Sequence, residues 1–253
     1  MMPWRRHRRT RSTLAPGQQA DAWQAVSLLL DYPDETLVQR LPLLGEVANG
    51  LPAPVAQPLR RFLEHAASTP LQELQRDYVE TFDVTRRCAL HLTYFLHGDT
   101  RNRGAALVRF KQLYRQHGVE LPDRPEGGDA ELPDHLCVVL EFGATVAPEA
   151  AWKLLNDHRV GIELLRRALD HRGSPWLDVV QVLRATLPGL DGDDQQALAK
   201  LIADGPPLET VGLDDALNAP YSIDPALDGS SQPPPQAERH TSLGPTIPVG
   251  APR

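Results

Sequence analysis

Residues 69–83 read TPLQELQRDYVETFD, and this stretch decides the fold class. Its first four residues predict a helix start, with Thr69 as the cap, Pro70 in the first helical position and Gln72 completing a capping box. Large apolar side chains then recur on one helical face, at Leu71, Leu74, Tyr78 and Phe82. The stretch therefore predicts an amphipathic helix with one buried face.

Helical spacing continues on both sides of this stretch. Trp23, Val26 and Leu30 predict a first helix that Asp21 would cap and Pro33 would end. Other helices are predicted for residues 33–44, with a kink or early end at Pro42, and for residues 103–117, 134–142, 148–165, 175–183 and 195–202. Period-two runs rich in Val, Ile and Thr, which would indicate strands, are missing. The sequence thus predicts an all-α, single-domain bundle of roughly eight to ten helices.

Composition divides the chain into three parts. Residues 1–19 hold five arginines, no acid and no continuous apolar segment, and they are predicted to form a disordered basic arm. Residues 20–215 are predicted to form the helical domain. Residues 216–253 are rich in Pro, Gly and Ser and poor in large apolar side chains, so a disordered tail is predicted there.

The charge of the chain limits the classes of partner. Its net charge is −7, and without the arm 21 basic residues face 33 acidic ones, a net charge of −12. An acidic body argues against a nucleic-acid binder and favours a partner with positive charge. A regulator that binds nucleic acid through the arginine arm alone stays open as an alternative.

Membrane insertion and a disulfide framework are not expected. No apolar run approaches the roughly 18 residues that a membrane span needs. The two cysteines, Cys88 and Cys137, give neither a set of disulfides nor a CxxC metal site. A reduced, cytoplasmic protein is the expectation.

Three polar segments supply the candidate binding residues. In the first, Tyr78 and Phe82 share one helical face, whereas Glu80 and Asp83 share another. The second surrounds a glycine turn, where a loop held by rigid helices could form a recognition surface. Its candidate residues are His97, Gly98, Asp99, Arg101 and Arg103.

The third polar segment is residues 131–136, ELPDHL. Asp134 is the predicted cap of the next helix, and His135 would lie in the first turn, near the positive end of the helix dipole. Each of the three segments also has a purely structural interpretation: a core face, a capped corner and a helix start.

Catalytic motifs do not accompany these segments. The sequence has no HExxH, no Walker or dinucleotide glycine pattern and no GxSxG elbow. Cys88 and His91 give only a weak indication of a metal site, so a metal-binding helical protein stays an alternative. The residues by themselves favour an acidic helical binding protein.

The three segments, in this order, resemble the signature of the NarJ family of nitrate reductase assembly chaperones, within the wider TorD-like group. The resemblance begins at residues 27–33, SLLLDYP, and continues through residues 78–83 and 90–92. It is strongest at residues 97–104, HGDTRNRG, and ends with the third segment and residues 140–142. It covers roughly residues 20–205.

The resemblance implies an all-helical chaperone without catalytic activity. Members of the family bind the N-terminal peptide of the apo catalytic (alpha) subunit of respiratory nitrate reductase and leave the finished enzyme. They hold no cofactor permanently, but assist insertion of molybdopterin guanine dinucleotide into that subunit. A TorD-like chaperone for another molybdoenzyme is the alternative that the resemblance leaves open.

The resemblance also assigns residues to a peptide site. In related chaperones an Asp-His pair after a proline helps to form this site, and that role carries over to Asp134 and His135. Asp99, Arg101 and Arg103 match the charged corner of the family.

Overall fold

Helices joined by short connections make up the fold. The computed structural model describes residues 14–98, 100–121 and 131–204. Over these ranges it contains no strand and eleven α-helices: α1 (Pro16–Leu29), α2 (Glu35–Asn49), α3 (Ala53–Ser68), α4 (Leu71–Tyr78), α5 (Tyr94–His97), α6 (Arg101–Gln116), α7 (Leu136–Thr145), α8 (Pro148–Asp157), α9 (Arg159–Arg172), α10 (Trp176–Thr186) and α11 (Gly192–Asp204). The predicted all-α fold is confirmed, with one helix more than the upper end of the predicted count.

The first helix begins earlier than the sequence predicts. Pro16 takes the first helical position, and the Gln18 side chain accepts a hydrogen bond from the Ala15 N–H at 3.4 Å. Asp21 lies inside the helix, so the prediction that it is the cap is wrong. Residues 1–13 of the predicted arm and the whole predicted tail, residues 216–253, lie outside the described residues.

The helix predicted to begin at Pro70 begins one residue later, at Leu71, and no side chain caps it. The Thr69 hydroxyl instead donates to the His65 carbonyl oxygen at 2.8 Å, in the last turn of α3. The predicted capping box with Gln72 is therefore wrong, because Thr69 satisfies the end of one helix and not the start of the next. Helix α3 was not predicted from the sequence, because the prolines in it and before it obscure its helical pattern.

Two further predictions of helix ends are corrected. Pro42 does not end α2, which continues to Asn49, since Pro42 is exposed and water can satisfy the carbonyl that its ring leaves unpaired. The helix predicted over residues 148–165 is two helices, α8 and α9. They separate at His158, whose Nδ1 lies 2.8 Å from the Leu154 carbonyl oxygen at the end of α8.

Helix α1 lies in the core and packs against α7 and α10. Trp23 on α1 is fully buried, and its indole N–H donates to the Thr186 hydroxyl at 3.0 Å. Gly143 on α7 permits the close approach, because a Cβ at this position would lie 2.7 Å from the Trp23 ring and 2.5 Å from the Cβ of Ala151. Helix α10 in turn packs against α3 and α9, which completes the apolar interior.

Helix α4 ends in a π-helical turn, Val79–Asp83, in which the Val84 N–H donates to the Val79 carbonyl oxygen at 3.1 Å. The wider turn keeps Tyr78 and Phe82 together in the core, with ring centroids 4.8 Å apart. Both rings also contact Trp176 at 5.6 Å. Such turns recur at functional sites, and this one leads from the core to the second polar segment.

Candidate functional site

The second and third polar segments meet through a short stretch of antiparallel backbone pairing. The Leu92 N–H donates to the Asp134 carbonyl oxygen at 3.0 Å, and the Leu136 N–H donates to the Leu90 carbonyl oxygen at 2.8 Å. These two bonds place His91 opposite His135. Two segments that are distant in sequence therefore form one corner of the molecule.

The Asp134 carboxylate is buried in this corner, with 0% of the residue exposed. Its Oδ2 accepts hydrogen bonds from the Thr93 N–H at 3.1 Å and from the Thr93 hydroxyl at 2.6 Å. His91 Nδ1 lies 3.5 Å from Oδ1, and a guanidinium nitrogen of Arg103 lies 3.9 Å from Oδ2. Burial raises the pKa of Asp134, but the contacts with His91 and Thr93 outweigh it and lower the pKa to about 2.

Asp134 does not cap the helix that follows it, so this prediction is wrong. Helix α7 begins at Leu136, and no side chain caps it. The carboxylate turns instead towards Thr93, the residue before α5. The physical reason is that the buried N–H and hydroxyl of Thr93 need an acceptor, and a carboxylate is a stronger acceptor than a neutral group.

His135 lies beside this carboxylate and is only 8% exposed. Its ring centroid is 5.2 Å from that of His91, and its Nε2 lies 3.7 Å from Oε1 of Glu131. Burial lowers the pKa of His135 to about 4, and the neighbouring His91 acts in the same direction. His135 is therefore neutral at pH 7. Its Nδ1 has no hydrogen-bond partner among the described residues.

The glycine turn of the second segment is confirmed. Gly98 has a φ of +56°, a conformation that favours glycine. The structure brings Arg103 from the following helix to Asp134, and the Arg103 guanidinium also lies 6.0 Å from the centroid of the Tyr94 ring. The Arg101 side chain is exposed at the start of α6. Asp99 lies outside the described residues.

His97 lies on the inner side of this turn and is half-buried. Burial lowers its pKa, and the charge of Arg109 lowers it further. Its carbonyl oxygen accepts a hydrogen bond from the Thr100 hydroxyl at 2.7 Å, which closes the turn. Thr100 therefore does not cap α6 with its side chain.

The first polar segment has a buried side and an exposed side. Tyr78 and Phe82 are 7% and 8% exposed, and the Tyr78 hydroxyl donates to the Leu30 carbonyl oxygen at 3.0 Å. Glu80 and Asp83 are exposed. The two aromatic residues thus pack beneath the surface, and the two carboxylates face solvent.

Four carboxylates from separate segments define what we call the acidic surface: Asp31, Asp83, Glu131 and Glu141. Burial raises the pKa of Tyr78, and the charges of Asp31, Asp83 and Glu131 raise it further. Burial also raises the pKa of the half-buried Cys137 thiol, with added effects from Asp31, Glu131 and Glu141. Asp31 and Glu131 act on both side chains, whereas Asp83 acts on Tyr78 and Glu141 acts on Cys137.

Exposed apolar side chains adjoin the acidic surface. Tyr32, next to Asp31, is 48% exposed, and its ring packs edge-on against Tyr78 with centroids 5.5 Å apart. Leu132, next to Glu131, is 37% exposed. Carboxylates beside exposed aromatic and aliphatic groups complement a peptide that is both cationic and apolar.

Five residues of this corner and surface had no predicted role: Asp31, Tyr32, Thr93, Glu131 and Glu141. Four of them lie in segments that carry the family resemblance: Asp31 and Tyr32 in SLLLDYP, Glu131 in residues 131–136 and Glu141 in residues 140–142. The role of Thr93 becomes visible only when the segments pair in space.

Metal binding and membrane insertion are not supported by the described residues. In the described ranges, no group of three or more His, Cys, Asp or Glu side chains is arranged to hold a metal ion. No described helix is long and apolar enough to cross a membrane.

Comparison with known proteins connects this corner to a family. The family model for the nitrate reductase delta subunit matches residues 48–181, more than half of the chain. The chain belongs to this family. The matched range includes the π-helical turn, the paired segments around His91 and His135, and most of the packed helices. The resemblance to the NarJ family is thereby confirmed.

Curated relatives carry consistent names. The probable nitrate reductase molybdenum cofactor assembly chaperone NarJ of Bacillus subtilis is 33% identical over 172 residues, 66% of this chain and 89% of that protein. The NarJ chaperone of Escherichia coli K12 is 33% identical over 183 residues, 71% of this chain and 74% of that protein. The nitrate reductase-like protein NarX of Mycobacterium tuberculosis is 40% identical over 165 residues. That match covers 65% of this chain and 24% of NarX, so the chain spans about a quarter of the length of NarX.

Proposed function

We propose that this protein is an assembly chaperone that binds the apo catalytic (alpha) subunit of nitrate reductase through the N-terminal peptide of that subunit. It assists insertion of the molybdenum cofactor and is absent from the finished enzyme. It works by binding, without catalysis, in the cytoplasm. Membership of the nitrate reductase delta subunit family and the names of the two NarJ relatives support this proposal.

The observation that carries peptide binding is the acidic surface with Tyr32 and Leu132 beside it. A peptide that is a remnant of a twin-arginine signal carries cationic and apolar side chains together. Asp31 and Glu131 would form charge-assisted hydrogen bonds with its cationic side chains, while the exposed ring of Tyr32 would contact its apolar side. A body with a strong negative charge would also speed the encounter with such a peptide.

Asp134 has a positioning role in this proposal. Its carboxylate is fully buried and bonded to Thr93, so it does not reach a ligand on the surface of this conformation. It holds the backbone pairing that places Glu131 and His135 at the acidic surface. His135, whose Nε2 lies 3.7 Å from Glu131 of the acidic surface, is the residue of the Asp-His pair that is better placed to meet the peptide.

The remaining candidate residues contribute to the proposed site to different degrees. Asp83 contributes charge to the acidic surface, and Tyr78 and Phe82 support it from the core. Arg103 neutralises part of the Asp134 charge, and Gly98 shapes the turn before it. Roles for Glu80, His97, Asp99 and Arg101 in peptide binding remain proposals from the family resemblance.

The cofactor is proposed to reside in the client. The chaperone holds none permanently, and molybdopterin guanine dinucleotide enters the apo subunit while the chaperone is bound. A second candidate, a TorD-like chaperone for another molybdoenzyme, differs only in the client. Co-purification from the native cell, followed by mass spectrometry of the bound subunit, separates the two.

Calorimetry with a synthetic N-terminal peptide of the alpha subunit tests the proposed function. We expect one peptide per chain, a negative heat-capacity change from apolar burial, and weaker binding at high salt. Removing one surface charge, in Asp31→Asn or Glu131→Gln, should weaken binding by about threefold to tenfold.

A matched control is Glu64→Gln, which removes one exposed carboxylate on α3, outside the acidic surface. It should leave the affinity unchanged. Absence of binding to the folded protein, or equal losses in the control and the two surface variants, would contradict the peptide-binding mechanism.

A further inference from the structure

Helix α6 carries a concentration of positive charge that differs from the rest of the folded chain. Its sequence, RNRGAALVRFKQLYRQ, contains no carboxylate and five cationic residues: Arg101, Arg103, Arg109, Lys111 and Arg115. Outside this helix and residues 1–19, the chain has 16 basic residues and 33 acidic ones. The helix is therefore a cationic element on a strongly acidic protein.

This helix has a buried side and an exposed side. The buried side consists of residues that recur at every fourth position: Ala106, Phe110 and Tyr114. The opposite, exposed side, which we call the cationic face, consists of Arg101, Ala105, Val108, Arg109, Gln112 and Arg115. Along the helix axis, Arg109 lies about 12 Å from Arg101 and about 9 Å from Arg115. The cationic face thus presents three guanidinium groups at intervals of roughly two helical turns.

Helix stability does not explain this arrangement of cations. Arg101 and Arg103 lie in the first turn of α6, where the helix dipole favours carboxylates. On the inner side, Arg103 faces the Asp134 carboxylate at 3.9 Å. In the part of the chain that the structure describes, Arg109 and Arg115 form no ion pair. Residues that depart from a local rule of this kind commonly serve function, so the cationic face is suited to an anionic partner.

The chemistry of the cationic face favours a protein over other anionic macromolecules. A helix that binds a membrane surface presents large apolar groups such as Trp, Phe or Leu beside its cations. The largest apolar side chain on the cationic face is that of Val108, which is 53% exposed. Nucleic acids and anionic vesicles carry extended arrays of negative charge, which the acidic remainder of the chain would repel. A short acidic segment of a protein would meet the cationic face alone.

We propose that the cationic face of α6 binds an acidic segment of a partner protein, in which carboxylates recur about every two helical turns. Guanidinium groups form paired hydrogen bonds with carboxylates. Side chains seven positions apart on a partner helix lie about 10.5 Å apart, close to the spacing of the arginines. None of the four carboxylates of the acidic surface lies on α6. The chain therefore has two interaction surfaces of opposite charge, and the second does not depend on the proposed function.

Fluorescence anisotropy with a synthetic probe tests the proposal. The probe is a labelled helical peptide of about 20 residues with three Glu at seven-residue intervals, and its control carries Gln at the same positions. The full chain should bind the Glu peptide at low salt and release it at high salt, whereas the Gln peptide should not bind. Absence of binding, or equal binding of the two peptides, would overturn the proposal.

A pair of double variants locates the binding. Arg109→Gln/Arg115→Gln removes two charges from the cationic face and should weaken binding of the Glu peptide by about threefold to tenfold. Both side chains are exposed, so the melting temperature should stay the same. The matched control, Arg40→Gln/Arg87→Gln, removes the same charge from exposed positions outside α6 and should keep the affinity. Equal affinities in the two double variants would show that the peptide binds elsewhere on the chain, and would overturn the proposal.

Anionic vesicles and duplex DNA test the other classes of partner. Vesicles that contain phosphatidylserine, and a short DNA duplex, are titrated with the full chain and with the variant at Arg109 and Arg115. We expect neither to bind as tightly as the Glu peptide. Tighter binding that is lost in the variant would assign the cationic face to a membrane or to a nucleic acid and would overturn a protein partner. The client peptide takes no part in these measurements, so failure of the proposed function and failure of this inference are read separately.

Discussion

One oxygen of Asp134 accepts two hydrogen bonds from Thr93, from its N–H at 3.1 Å and from its hydroxyl at 2.6 Å. Both residues are fully buried. The contact links the segment before α5 to the segment before α7, so it fixes the corner on which the proposed site depends. Its removal should therefore affect the whole corner.

Asp134→Ala should lower the free energy of unfolding by about 3 kcal/mol, because it leaves the buried donors of Thr93 without their acceptor and removes the negative charge that faces Arg103. Urea unfolding measures the change. Thr93→Val, which keeps the N–H but removes the hydroxyl, should cost less, about 1–2 kcal/mol. A loss below about 1 kcal/mol for Asp134→Ala would show that the carboxylate does not organise the corner.

Acid should destabilise the protein through His135. Its pKa is about 4 in the folded chain and near the usual 6.5 when unfolded, so between these values only the unfolded chain binds the proton. The contribution of His135 to the free energy of unfolding should be fully present above pH 6.5. It should fall by on the order of 3 kcal/mol as the pH is lowered towards 4. Asp134, with a pKa of about 2 against the usual 3.8, adds a further loss only below pH 3.8.

Urea unfolding at pH 7.5 and pH 4.5 measures this effect. His135→Gln should reduce the difference between the two pH values by about 2–3 kcal/mol. Buried His158 and half-buried His97 also have lowered pKa values, so part of the difference should persist in the variant. An unchanged difference would show that His135 is not the buried neutral group.

Gly143→Ala should destabilise the core by about 1–3 kcal/mol, because the new methyl group would overlap Ala151 and the Trp23 ring. Gly45→Ala is the matched control. A Cβ at Gly45, inside α2, has no atom within 4 Å, so alanine there should raise stability by about 0.5–1 kcal/mol. Thermal melts of the two variants should move in opposite directions, and a shared direction would refute the close approach of α1, α7 and α8.

Tyr32→Ala should weaken client-peptide binding by about tenfold, because the ring is exposed beside the acidic surface and offers apolar contact. The melting temperature should change little by comparison. Leu43→Ala, which shortens a side chain on α2 that is 65% exposed, is the control and should keep full affinity. Calorimetry and melts on the same preparations separate a binding defect from a folding defect.

Helical periodicity was sufficient to predict the fold class, because large apolar residues such as Trp23, Leu74 and Tyr78 recur on single faces. Helix ends were harder to predict. Thr69 has the chemistry of a cap, but its hydroxyl bonds to the carbonyl of His65 behind it. When a side chain can form a hydrogen bond at either of two helix ends, the sequence alone does not indicate which bond forms.

The candidate site was predicted only in part. Asp134 and His135 stand out in the sequence, and the structure places them together in a buried corner. The burial of Asp134 could not be inferred, because its acceptor role depends on Thr93, which lies 41 positions earlier. For the same reason Asp31 and Glu131 gave no local sign that they would share a surface.

The backbone pairing between His91 and His135 also determines how the chain tolerates change in length. Both ends of the intervening segment are fastened by the bonds at Leu92 and Leu136. The alignment of Asp134 with Thr93 is therefore set by these two bonds and not by the number of residues in the intervening segment. Because α5 and α6 pack within this segment, length can change at low cost only between the end of α6 and Glu131, where an insertion adds a closure entropy that grows with the logarithm of the loop size and should leave the corner intact.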